Sequence, residues 1–142
     1  MVGNTSHLPM VKVLVKQEST VALLDTGAQY CFVAQHLVEK LQLSTYRPSK
    51  IISGTFANGM LWEATRIVRI TVTLVDTGET VKSQVIELEA LIIPQLSMDM
   101  IIGSDAIRRY QLLPWIQRAL EGEPESLEDE VPEIFDDLKD NS

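Results

Sequence analysis

The chain has 142 residues, 45% of them hydrophobic, and a formal net charge of −8. That length supports one modest core but not two lobes of comparable size, and the sequence has neither a basic patch for nucleic acid nor an apolar run of membrane-spanning or signal-peptide character. A single cysteine, Cys31, excludes an intramolecular disulfide and any multi-cysteine zinc site, and His7 and His36 are too few and too isolated for a metal centre.

The first regular pattern is Val11-Lys12-Val13-Leu14-Val15-Lys16, which alternates at period two as a half-buried strand does. Next, the apolar run Val21-Ala22-Leu23-Leu24 delivers Asp25-Thr26-Gly27-Ala28. A carboxylate handed out of a buried strand is costly to desolvate, so it is paired, neutralised or used. At Asp25 the reading is use. Gln29 to Leu41 then reads as a short strand running into an amphipathic helix, with Cys31 a buried, inert thiol between Tyr30 and Phe32 and His36 a structural residue.

The segment Ile51 to Trp62 is expected to be a strand that breaks at Gly54, turns through Asn58-Gly59 and resumes. Ile67 to Leu74 alternates again and leads into a second Asp-Thr-Gly, Asp76-Thr77-Gly78, followed by Glu79 to Val85. Alternating strand, polar turn and alternating strand make a hairpin, with Asp76 a solvated turn residue. Val85 to Ile93 becomes continuously apolar at its end. Met98 to Asp105 contains the apolar pair Ile101-Ile102 followed by Gly103, and Ser104 to Tyr110 reads as a helix of about two turns.

Charge divides the chain. Residues 1–114 carry ten Lys/Arg against ten Asp/Glu, whereas residues 115–142 carry two against ten. From Glu121 onward the sequence reads as a self-repelling acidic segment interrupted by Pro124 and Pro132. Within it, Val131 to Leu138 is a solvated linker or a short docking motif. The expected organisation is a folded domain at 8–118 and an acidic tail or linker at 119–142.

The Asp25-Thr26-Gly27-Ala28 motif, the glycine-bearing hairpin and the downstream Ile-Ile-Gly, in that order, resemble the aspartic proteases of retroviruses and retrotransposons. Leu23 to Gln29, the Phe32-Val33 pair, the helix Leu37 to Leu41 and Gly54-Thr55-Phe56 are most similar to the BEL/Pao retrotransposon branch. The resemblance implies an all-β, single-lobe, retropepsin-like closed barrel or sandwich with one or two short helices, active as a symmetric homodimer. It implies an aspartic endopeptidase that cleaves extended polypeptide, including its own polyprotein, with a water activated between two Asp25 carboxylates and no metal or other cofactor. Thr26, Gly27 and Ala28 would form the active-site loop and dimer brace. Gly54, Thr55 and Phe56 would belong to a flap, or else to an ordinary Asn-Gly hairpin, and Met98, Met100 and Ile101 would line a cleft, unless the two methionines are plain core. Ile102 and Gly103 would lie on a strand crossing beneath the catalytic loop, where close backbone approach requires a glycine, and they and Asp105 would be structural.

Two departures stand out. Many retroviral enzymes pair an Asp two residues after the motif glycine with an Arg directly after the apolar-apolar-Gly; here those positions hold Gln29 and Ser104, so both partners are replaced together. The segment Gln111 to Ile116 is the one placed to enter a shared sheet at a dimer interface, with Pro114 limiting its pairing. The alternative function is a catalytically silent or domesticated module of the same fold that dimerises or binds peptides. The expected setting is the cytoplasm or a retroelement particle.

Overall fold

The computed structural model describes residues 8–76 and 83–121. Along the chain come β1 (Met10–Val15), β2 (Glu18–Leu24), β3 (Cys31–Ala34), α1 (Gln35–Lys40), β4 (Thr45–Tyr46), β5 (Ile52–Thr55), β6 (Leu61–Ala64), β7 (Ile67–Val75), β8 (Ser83–Ile93), β9 (Met100–Ile102), α2 (Ser104–Arg109) and α3 (Leu113–Glu121).

Six strands form a ring in the order β1-β2-β9-β3-β8-β7, and β7 returns to β1 through Lys12↔Val75, Val13↔Leu74 and Leu14↔Thr73. Closure leaves no free edge to the ring as a whole. The other half of the same β7 edge holds β4, and β5 pairs with β6 in a separate hairpin. Most pairs are antiparallel, but β2 with β9 and β3 with β8 are parallel. The fold is an all-β closed barrel, as expected, with three short helices among the described residues where one or two were expected.

Two apolar clusters share the strands. Val13, Leu24, Val33, Ile70, Leu88, Ile92 and Ile102 belong to the barrel core. Leu23, Phe32, Leu91, Ile93, Met98 and Ile101 belong to a second cluster, completed by Trp62 and Ala64 of the hairpin. Successive residues such as Leu23 and Leu24, or Ile101 and Ile102, therefore bury on opposite faces of one strand. This is why β9 and the ends of β2 and β8 are continuously apolar, whereas β7, with one solvated face, alternates. Each large side chain buried in this way stabilises the fold by about 1.5–3 kcal/mol.

Gln111 to Ile116 does not form a strand. Pro114 lies in the first turn of α3, where a missing N–H leaves no hydrogen bond unmade. Trp115 and Ile116 pack on the barrel core, and Trp115 Nε1 donates to Gln84 Oε1 at 2.8 Å. Because β3 pairs only with Ala90 to Ile93, the first half of β8 would present an open edge. The Tyr110 hydroxyl covers it, donating to the Glu87 carbonyl at 3.0 Å and accepting from the Glu87 amide at 3.3 Å.

Asp76 is not solvated. It is 8% exposed and ion-paired with Arg118 of α3, which packs back on β1 and covers this end of the barrel. The strands β7 and β8 do form the expected hairpin, while Thr77 and Gly78 lie outside the described residues.

Candidate active site

The Asp25 turn hangs between the ends of two strands and is tied to a third. The Asp25 amide donates to the Ile102 carbonyl at 2.9 Å, continuing the parallel β2–β9 ladder by one residue. The Ala28 amide closes the turn on the Asp25 carbonyl at 3.1 Å, and the Gly27 amide donates to Asp25 Oδ1 at 2.9 Å. One carboxylate oxygen is thus held by backbone, and Asp25 is only half-buried. Gly27 lets its amide approach: a Cβ there would lie 3.3 Å from Asp25 Oδ1. Thr26 and Gly27 are exposed, and Ala28 packs on the second cluster.

Gly103 supports this loop from beneath. A Cβ at Gly103 would stand 2.3 Å from the Tyr30 carbonyl oxygen and 2.7 Å from that of Ala28, closer than any side chain permits. The next residue, Ser104, donates its amide to the Ala28 carbonyl at 2.7 Å. Where an Arg would have reached for a carboxylate, a main-chain bond makes the connection, and Gln29 is exposed. Asp105 is exposed too and faces Arg108 at 4.0 Å. Cys31 Sγ accepts from the Gly103 amide at 3.4 Å, and burial pushes its thiol up to about 11. That thiol is inert at neutral pH.

The β5–β6 hairpin stands over the second cluster. Its strand does not break at Gly54, which pairs directly with Trp62 across the hairpin. A Cβ at Gly54 would lie 2.6 Å from the indole, so the glycine admits the ring and is not a hinge. The turn glycine is Gly59, at φ 89°, with the Gly59 amide donating to Phe56 and the Met60 amide to Asn58 Oδ1. Trp62 meets Phe32 at 5.0 Å, Tyr30 at 5.9 Å and Phe56 at 6.2 Å between ring centres. Aromatic contacts therefore join the hairpin to the loop that carries Asp25. Thr55 and Leu61 face outward on the opposite side.

The proposed wall residues separate. Met98 and Ile101 join the cluster beneath the hairpin, together with partly buried Phe56. Met100 is fully buried in the barrel core, because side chains alternate across β9, and it cannot share a wall with Ile101.

Sequence reasoning did not find Trp62, whose signal was its position opposite Gly54 once the Asn58-Gly59 turn sets the register. Nor did it find Asp99, which accepts from the Thr20 hydroxyl, meets His36 Nε2 at 2.8 Å and receives the Ala34 amide on its carbonyl at 3.0 Å. These contacts tie β2, β3 and the approach to β9 together. They join residues so far apart in sequence that no local pattern announces them. Among the described residues no group of three or more His, Cys, Asp or Glu could hold a metal ion.

Residues 11–109 match the family described as "gag-polyprotein putative aspartyl protease". The chain belongs to this family. The match spans the Asp25 turn, the β5–β6 hairpin and Gly103 with its following helix, so every part of the candidate site described above lies inside it. Among solved structures, the retroviral protease-like domain of Ddi1 from Leishmania major is similar at 22% identity, covering 73% of this chain and 76% of that one, with a TM-score of 0.49. No curated protein matches the chain.

Proposed function

We propose that the chain is an aspartic endopeptidase that works as a symmetric homodimer, each copy supplying one Asp25. The observation that carries this reading is the backbone cradle of Asp25, which fixes one oxygen and leaves the carboxylate half-exposed at the end of its strand. Among the described residues there is no second carboxylate of that kind. Asp76, the only other Asp-Thr-Gly aspartate, is buried against Arg118 under α3. A partner copy is then the source of the second acid, across an isologous interface.

Two carboxylates within hydrogen-bond reach cannot both ionise cheaply, so they share one proton and titrate as a unit. The ionised member draws a proton from a water held between them, and the protonated member donates to the scissile carbonyl, giving a tetrahedral diol with no acyl-enzyme. Thr26, exposed beside Asp25, braces the two loops. The β5–β6 hairpin closes over an extended polypeptide, with the main chain of Gly54 and Thr55 and the ring of Phe56 contributing to its contacts. Met98 and Ile101 under the hairpin favour apolar residues beside the cut bond. The substrate is a polyprotein of the retroelement type, the lineage is the BEL/Pao branch, and the setting is cytoplasmic or particle-enclosed. Family membership and the order of motifs support this reading.

The test is cleavage of a mixed peptide library from acid to neutral pH, with and without pepstatin, alongside sedimentation. Pepstatin-sensitive cleavage lost in Asp25→Asn and kept in Asp76→Asn supports the dyad. A dimer with no activity at any pH would replace the protease by a peptide-binding or scaffold module.

A further inference from the structure

The end of the barrel away from Asp25 carries a hollow of about 580 Å³ lined by Lys16, Leu43, Ser44, Tyr46 and Arg69. It holds two cations, an aromatic ring, an aliphatic side chain and a hydroxyl, and no carboxylate lines it. Lys16 ends the β1 side of the hairpin whose other strand, β2, leads to Asp25. Seven residues of β2 separate the hollow from the catalytic turn by about 20 Å.

Both cations are available. Lys16 makes one long hydrogen bond, to the Leu41 carbonyl at 3.4 Å, and among the described residues no carboxylate pairs with it. Arg69 lies over the Tyr46 ring at 5.8 Å and 3.7 Å from Glu89. Glu89 also accepts the Tyr46 hydroxyl, which raises the pKa of that phenol. Because Glu89 is shared between two partners, Arg69 keeps donors of its fork for a further acid.

The backbone around the hollow is unusual. Lys16 and Gln17 form a two-residue hairpin loop with φ 52° and 68°, conformations for which Asn-Gly is the favoured pair. Gln42, next to Leu43, has φ 54°. Among the described residues, three of the four non-glycine residues at positive φ thus sit at or beside this one hollow. A lysine is retained there at a conformational cost of order 1 kcal/mol.

We infer that this hollow holds the chain's own acidic segment, residues 122–142, through Val131 to Leu138. That segment lies outside the described residues and carries nine acidic side chains and one lysine, so it accounts for the whole formal charge of −8. Within it, Glu133, Asp136 and Asp137 flank Ile134-Phe135 and precede Leu138. The acids complement Lys16 and Arg69, and the apolar pair complements Leu43 and the Tyr46 ring. The segment follows α3, which packs along β1, the strand that ends at the Lys16 turn. From Glu121, ten or more residues reach about 30 Å when extended, enough to arrive at the hollow on the same molecule. The docked segment occupies the end of the barrel opposite the catalytic turn and leaves that turn open.

Zero-length carbodiimide cross-linking of the full chain tests this. A 1:1 mixture of ¹⁵N-labelled and unlabelled protein is used, so that links within and between chains differ in mass. The expected product joins Lys16 to Glu133, Asp136 or Asp137 within one chain, and its yield falls about fivefold in about 0.5 M salt and in Phe135→Ala. Amide shifts of Leu43, Ser44 and Arg69 in the full chain move in the same variant. Links from the segment spread evenly over Lys12, Lys40 and Lys50, links only between chains, or shifts indifferent to Phe135→Ala would each overturn the assignment.

Discussion

The same tripeptide occurs twice in this chain, and the two copies show what a motif acquires from its surroundings. Asp25 leaves a strand whose two faces are both buried, and its carboxylate ends half-exposed with a backbone amide on one oxygen. Asp76 leaves a strand with one solvated face and ends buried against a guanidinium. The first is braced by main chain, which leaves its chemistry free. The second is braced by a charge, which uses its chemistry up. Asp-Thr-Gly specifies a turn; the element crossing beneath it decides whether the acid can work.

The sharpest way to break this contrast is to neutralise each acid in turn. Asp25→Asn is expected to lower kcat/KM about a thousandfold while leaving the urea midpoint almost unchanged; Asp76→Asn should do the reverse. Equal losses of activity per folded molecule would erase the distinction. Gly103→Ala tests the brace beneath Asp25. A methyl 2.3 Å from a carbonyl oxygen must displace the loop, with an expected loss of about 3 kcal/mol by urea unfolding.

Arg118→Ala tests the other brace. It leaves Asp76 buried without that partner, and a loss of about 2 kcal/mol is expected, discounted because Arg118 is half-exposed. Catalysis per folded molecule should be intact. The smallest effect concerns Cys31, behind the Asp25 loop. Its thiol is neutral in the fold up to about pH 11 but ionises from about 9 once unfolded. Its contribution to stability is therefore complete below pH 9 and lost as pH rises toward 11. A stability profile of the wild type that falls more steeply in that window than that of Cys31→Ala would show it. Iodoacetamide at pH 8 should label the thiol only in denaturant.

The barrel and the Asp25 turn were legible because each rests on a local rule. Period-two alternation marked β1 and β7, continuous apolar runs marked strands buried on both faces, and the family resemblance placed Ile101-Ile102-Gly103 at a close crossing. What was illegible depended on pairing across the chain. Gly54 looked like a break because its partner Trp62 is visible only once the hairpin register is known. Pro114 suits the first turn of a helix as well as it discourages a strand, and only the apolar contacts of Trp115 and Ile116 decide between them. The burial of Asp76 required α3 to fold back over β1, and Met100 could be separated from Ile101 only after β9 was fixed as a strand.

The position of β9 carries a consequence for how the molecule comes into being. It lies between β2 and β3, pairing Met100 with Ala22 and Phe32 with Ile101, so the turn holding Asp25 stays unsupported until the stretch through Gly103 has been made and inserted. Contacts that span so much sequence form slowly. An emerging or truncated polypeptide that stops short of this strand has the acid but not its support, and so the order of synthesis itself leaves the Asp25 turn unbraced until almost the entire barrel exists.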